Sequence, residues 1–169
     1  ASMVSVRSHI PEDAHTAPIL GTERGGNGIV IREEGVVLTI GYLVTEAETI
    51  WLTDHKGNAV QGHVLGYDQE TGFGLIQALG RLDVKAIEIG RSGAVKEGDP
   101  VILAGFGGRS SSISAEVIAV REFAGYWEYL LDEAIFTAPA HPNWGGAGLI
   151  GPKGELLGVG SLFIQHGGG

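Results

Sequence analysis

Cysteine is absent from all 169 residues, which excludes a disulfide scaffold and any thiolate metal site. It leaves the redox compartment open, because a cysteine-free chain folds equally well in oxidising or reducing surroundings. Basic residues are few: 11 Lys and Arg stand against 20 Asp and Glu, a net charge of −9. Neutralising phosphates needs clustered cations, and these are scattered, so no nucleic-acid partner is expected. No apolar run reaches the length of a membrane span, and no signal peptide is evident at the first residues. Membrane insertion is therefore not expected. The six histidines (His9, His15, His55, His63, His141 and His166) never pair with one another or with an acid in a metal-ligand pattern. No metal and no cofactor are expected. Asp54-His55 reads as a solvated turn, and His9 with Glu12, Asp13 and His15 as a terminal cluster for adventitious binding only.

Proline is scarce, at 6 residues, while glycine is plentiful, at 29. Glycines at short intervals suit the turns and bulges of an all-β protein. The apolar residues fall in short bursts between turn signals. Gly28–Ile31 and Val36–Thr39 flank the polar Arg32–Gly35, which is a hairpin pattern. Thr49–Thr53 and Ala59–Gly66 flank Asp54–Asn58 in the same way. Gly74–Leu79, Val101–Gly105, Ser112–Arg121, Ala134–Ala138 and Gly158–Gln165 are further predicted strands. Glu122–Asp132 has a weak helical alternative. A spacing of roughly ten residues with turns between predicts a barrel or sandwich. The strands fall into two groups, split near Gly90–Gly98. Gly107–Ser112 reads as a flexible loop rather than a nucleophile site. Gly25–Gly28 lacks a following Lys-Ser/Thr and precedes a strand, so it is not a phosphate loop.

Five segments in order go further. Gly26-Asn27-Gly28-Ile29-Val30-Ile31 followed by Gly35-Val36-Val37-Leu38-Thr39 resembles the G-S-G-x-I-I … G-x-I-L-T opening of trypsin-like serine proteases of the HtrA (Do-like) branch. Asp68–Ile76 resembles that family's D-x-x-T-D-L-A-L-L segment. Lys96–Gly105 resembles its x-x-G-D-x-V-x-A-I-G turn and strand. Ala140–Ile150 resembles the nucleophile loop N-P-G-N-S-G-G-P-L, and Gly154–Val159 the G-E-V-I-G-I that follows it. The resemblance runs from about Gly25 to Ile164. It implies an all-β fold of two antiparallel six-stranded β-barrels with the site in the cleft between them.

The same register exposes three departures. The catalytic histidine position holds Tyr42, the aspartate position Gly72 and the serine position Gly145. A serine nucleophile, an imidazole base and an orienting carboxylate are all required for acyl transfer by this route. Glycine cannot attack or orient, and a tyrosine phenol holds its proton near neutrality. An inactivating substitution would remove one member, whereas here all three are replaced. The resemblance implies an oxyanion-hole remnant at the N–H groups of Asn143 and Gly145. Trp144 either packs over the vacated cleft or floors it for a ligand. His141, Trp144, Gly160, Ser161 and Leu162 are the candidate peptide-binding residues; Gly160–Leu162 falls where this family pairs substrate as an added strand.

These readings divide the chain into an arm over 1–17, a protease-fold domain over 18–166 and a glycine tail over 167–169. Barrel 1 would span about 18–93 and barrel 2 about 94–166. The expected function is an inactive HtrA-like homologue that binds or scaffolds polypeptide. The alternative is an active serine endopeptidase-like hydrolase with displaced residues, Ser161 or the serine loop acting with His141 as base. A purely assembly role is a third reading. Relatives in this branch form trimers through aromatic residues near the N-terminus, but the first aromatic here is Tyr42; an oligomer stays open. The resemblance implies a periplasmic or other bacterial envelope setting.

Overall fold

A computed structural model describes residues 2–68, 70–124, 130–139 and 145–160, with side chains described except at 20, 121–124 and 130–134. Besides three short 3-10 turns, the described residues hold eleven strands and one α-helical turn. They are β1 (Met3–His9), α1 (Ala17–Leu20), β2 (Glu23–Arg32), β3 (Val36–Ile40), β4 (Thr49–Thr53), β5 (Ala59–Tyr67), β6 (Phe73–Ala78), β7 (Pro100–Ala104), β8 (Ser112–Ala124), β9 (Leu130–Ala138), β10 (Gly148–Ile150) and β11 (Leu156–Val159). The first six strands close into an antiparallel barrel in the order β1-β2-β3-β6-β5-β4. The remaining five form a second sheet, β11-β10-β7-β8-β9. The all-β expectation is met, with a closed six-stranded barrel and a five-stranded second sheet among the described residues. The predicted strand segment beyond Gly160 lies outside them.

Period-2 burial explains why these segments are strands. In β1 the even residues Val4, Val6 and Ser8 are buried while Arg7 and His9 are exposed. The barrel interior is filled by Val4, Val6, Val30, Val37, Ile40, Leu43, Ile50, Leu52 and Ile76, with Val44 and Ala78. A smaller core of Val101, Leu103, Val117 and Leu149 lies in the second sheet. β-branched side chains dominate the barrel core, as a pleated buried surface favours, while the smaller core pairs two valines with two leucines.

Two expectations are corrected. Residues 1–17 are not an arm: Met3–His9 is a full barrel strand, paired with β2 on one side and β4 on the other. Without it the barrel would have two open edges. The weak helical alternative for Glu122–Asp132 also fails at both described ends of that segment, since β8 continues to Ala124 and β9 begins at Leu130, paired with each other.

The connection between the two sheets is tied to both of them at its middle. Ile87 N–H donates to the Val30 carbonyl of β2 at 2.9 Å, and Gly90 N–H to the Leu156 carbonyl of β11 at 2.8 Å. Its start is held by Asp54, in the β4–β5 turn. Asp54 is fully buried. Its carboxylate accepts the N–H groups of Lys56 (2.9 Å), Asn58 (3.0 Å) and Asp83 (3.2 Å), and the Asn58 side-chain amide (3.1 Å). Lys56 also pairs with Asp83. The predicted solvated turn therefore holds for His55, which is exposed, but not for its neighbour. Desolvation pushes the Asp54 pKa up, yet the donors around it outweigh that and hold it below the ordinary aspartate value.

Asp54→Ala should lower the unfolding free energy by about 2 kcal/mol, because three backbone N–H groups lose their acceptor. A depressed folded pKa stabilises above the unfolded carboxylate value and is lost as pH falls through the folded one. The urea midpoint of the unaltered protein should therefore drop more steeply than that of the variant between about pH 5 and pH 2. Parallel pH profiles would contradict this role for Asp54.

Candidate functional site

The positions occupied by Tyr42, Gly72 and Gly145 gather around the C-terminal end of β3. β3 runs beside β6 with Ile40 opposite Phe73. The 3-10 turn Gly41–Leu43 after β3 therefore meets the turn before β6. Gly41 N–H donates to the Gly72 carbonyl at 2.6 Å, and Gly72 N–H to the Asp68 carbonyl at 2.8 Å. Gly72 has φ +78°, a region where an L side chain costs about 1 kcal/mol. The carboxylate of Asp68 faces its own turn, accepting from Glu70 N–H (3.0 Å) and the Thr71 hydroxyl (2.9 Å). A Cβ added to Gly145 would stand 3.8 Å from Ile40 Cδ1, next to Gly41. Of the other predicted site residues, His141, Asn143, Trp144, Ser161 and Leu162 lie outside the described residues. Gly160 is described, and its backbone is already engaged. Its N–H donates to the Ala147 carbonyl (2.7 Å) and its carbonyl accepts from Gly146 N–H (2.9 Å). An added strand would have to pair beyond it.

Asn27 ties this loop to the barrel. It sits in β2, points away from the barrel interior and is 4 % exposed. Its backbone N–H and its side-chain amide both donate to the Gly145 carbonyl, at 2.8 and 3.1 Å. Its side-chain oxygen accepts from Phe106 N–H, just past β7, at 2.8 Å. Its carbonyl accepts from the buried Thr39 hydroxyl at 2.8 Å. One asparagine thus joins β2, β3, the end of β7 and the 145 loop. Gly146 completes the junction. It has φ +76°, and a Cβ there would collide with the Asn27 carbonyl.

Arg24, also in β2, governs the Tyr42 side of the site. It is 2 % exposed. Its Nη1 donates to the carbonyls of Tyr42 (2.8 Å) and Thr45 (3.1 Å), its Nε to the Gly21 carbonyl (3.3 Å) and its Nη2 to the Thr16 hydroxyl (2.8 Å). The guanidinium lies 5.5 Å from the centroid of the Tyr42 ring, within cation–π range. Burial lowers the Arg24 pKa, and the nearby Glu46 charge opposes that. Glu46 accepts the N–H groups of His15 and Thr16, both at 2.9 Å. Desolvation pushes the Glu46 pKa up, but these donors and the Thr16 hydroxyl pull it below its ordinary value. Tyr42 is half-buried and packs on the barrel core. Its ring and carbonyl serve structure, and the Tyr67 ring lies over the neighbouring Gly41.

A cleft of about 300 Å³ opens beside Gly145, lined by Ser5, Arg7, Gly25, Asn27, Phe106 and Gly145 among others. Among the described residues lining it, the ionisable side chain is Arg7. Among the described residues, no group of three His, Cys, Asp or Glu side chains could hold a metal ion. Among the described residues the arrangement offers backbone amides, a hydroxyl, an aromatic ring and one guanidinium.

Sequence reasoning placed Tyr42, Gly72 and Gly145 as one site but passed over Arg24, Asn27 and Arg7. For Asn27 a signal existed, an asparagine between glycines inside a strand. For Arg24 none did, since a charged residue beside two glycines reads as exposed.

Comparison with known proteins gives a concordant picture. Residues 26–159 match the trypsin-like peptidase domain family. The chain is 26 % identical over 163 residues to the periplasmic pH-dependent serine endoprotease DegQ of Escherichia coli, covering 94 % of this chain and 35 % of that protein. It is 25 % identical over 139 residues to the putative serine protease HhoB of Synechocystis sp., covering 79 % of this chain and 33 % of that protein. The chain thus spans about a third of the length of these relatives. Among solved structures, the HtrA-type protease AlgW with a decapeptide superimposes with a TM-score of 0.75 at 17 % identity, covering 98 % of this chain and 57 % of that one. That likeness shows a shared fold.

Neighbouring glycines in the 145 loop should respond oppositely to a methyl group. Gly146→Ala should cost about 3 kcal/mol or more, from overlap with the Asn27 carbonyl and from its positive φ. Gly145→Ala should cost under about 1 kcal/mol, since its Cβ meets only ordinary contact. Urea denaturation of both variants measures the difference; equal losses would mean that the junction with Asn27 is wrongly placed.

Proposed function

We propose a function for this chain from one premise: it belongs to the trypsin-like peptidase family. On this reading the domain has lost catalysis and keeps its cleft as a polypeptide-binding or scaffolding module. The carrying observation is the trio of residues at the end of β3. Gly145 offers no nucleophile, Gly72 offers no carboxylate, and the Tyr42 ring and carbonyl are held by buried Arg24. Serine-type hydrolysis needs all three functions within hydrogen-bond reach of one another. The positive φ of Gly72 adds that a carboxylate could not be restored there without backbone strain.

A polypeptide ligand is supported by AlgW, a protein of the same fold solved with a decapeptide. The relative DegQ is described as periplasmic, and we assign this chain to a bacterial envelope compartment by that analogy. Asn143 and Gly145 remain our proposed amide pair, and His141, Trp144 and Gly160–Leu162 the proposed peptide-contacting residues.

Purified protein should not degrade unfolded casein and should not be labelled by a fluorophosphonate probe. Serine-inhibitor-sensitive turnover would overturn the reading in favour of a hydrolase with displaced residues. Gly145→Ser has room for its side chain, yet it should also stay unlabelled, because Tyr42 rather than an imidazole occupies the proposed base position; labelling of that variant would equally count against the proposal.

A further inference from the structure

We propose that the outer face of β1 and β4, where it runs into the cleft beside Gly145, binds an acidic polypeptide segment through Arg7 and Trp51. The inference rests on the polypeptide-binding reading above and names the chemistry of the ligand. Strand register assembles the face. Arg7 is paired with Trp51 of β4 on one side and with Gly25 of β2 on the other. Directly paired residues of antiparallel strands point to the same face. Because Val4, Val6 and Ser8 fill the interior, Ser5, Arg7 and His9 point outward. The flanking rows are Thr53–Ser5–Asn27 and Thr49–His9–Glu23.

Three features separate this face from an ordinary solvated one. First, Trp51 is 45 % exposed, a large ring left open beside a cation. Trp and Arg are the side chains that most often dominate binding energy at interfaces. Second, Gly25 carries no side chain, so the flank of Arg7 toward the cleft is unobstructed, and Arg7 itself lines that cleft. Third, Arg7 makes no ion pair among the described residues. Arg24 is used by carbonyls and Lys56 by Asp83. In a chain of net charge −9, an unpaired guanidinium at the mouth of a cleft complements a carboxylate. A guanidinium takes a carboxylate through two parallel N–H donors. The acid already on this face, Glu23, lies in the next row, paired with His9. Ser5 and Thr53 supply hydroxyls beside the guanidinium, and Phe106 gives the cleft an apolar wall. An extended segment with an acidic side chain flanked by apolar ones fits this sequence of surfaces.

The test uses two terminally blocked octapeptides, one alternating Glu with Leu and the other alternating Gln with Leu. Binding is read by tryptophan fluorescence and by calorimetry. The Glu peptide should bind about tenfold or more tightly than the Gln peptide, and its affinity should fall with added salt. Arg7→Ala and Trp51→Ala should each weaken it about tenfold or more, and Arg7→Lys should retain part of the loss. Both residues are exposed, so thermal unfolding of the variants should be unchanged. Equal binding of the two peptides, no binding of the Glu peptide, or indifference to Arg7→Ala would overturn the inference. So would equal affinity for an oligothymidylate, which would mark a generic polyanion surface. Unfolded casein separates the two proposals. Casein bound intact, with no dependence on Arg7 or Trp51, leaves the domain a binding module and removes this site. Casein cleaved, alongside Arg7-dependent binding of the Glu peptide, removes the inactive reading and leaves this site.

Discussion

Asn27 sits where two sheets must be held in one register, and its amide joins them. A closed barrel and a second sheet have no hydrogen-bonding edge in common, so their relative placement depends on side chains and loops. Asn27 donates to Gly145 from backbone and side chain together and accepts from Phe106. These groups are buried, where an unmet donor or acceptor costs about 1–3 kcal/mol. Gly146 follows as a consequence, because only a residue without a side chain can pass the Asn27 carbonyl. Even the connection over residues 79–99 obeys the same constraint, bonding β2 through Ile87 and β11 through Gly90 at its middle.

The Arg24 cluster does for the other side of the site what Asn27 does for the loop. A buried guanidinium has five donors to satisfy. Here carbonyls of Gly21, Tyr42 and Thr45 and the hydroxyl of Thr16 take four of them. Tyr42, which we propose stands at the family's base position, is thereby drawn into the framework, its ring against a cation and its carbonyl in a hydrogen bond. On the proposed inactive reading, a position released from catalysis is free to take such a role.

Much of the architecture was legible in the order of short apolar bursts and glycine turns. The hairpin around Arg32–Gly35 and the strand from Val101 follow from alternation and turn chemistry, which are local. β1 was not legible. Its inward residues are Val4, Val6 and a hydroxyl, Ser8, and its neighbours include Pro11, so the pattern is weak within the segment itself. It is a strand because two other strands, far along the chain, offer it unpaired edges. Asp54 escaped for a related reason. An aspartate in a turn is exposed by default, and only the arrival of the 79–99 connection, bringing Asp83 N–H, buries it.

By itself the sequence determined that the chain is all-β and that its motifs follow a trypsin-like order, and from the same motifs we propose Tyr42, Gly72 and Gly145 as the occupants of the triad positions. Such features are local, since alternation, turn residues and side-chain identity need no partner to be read. Tertiary structure alone decided that Arg24, Asn27 and Asp54 are interior polar anchors, and that Arg7, Trp51 and Gly25 lie in one row beside the cleft. Each of these depends on which strands pair and in what register, and that is settled by the closure of the barrel rather than by any single segment.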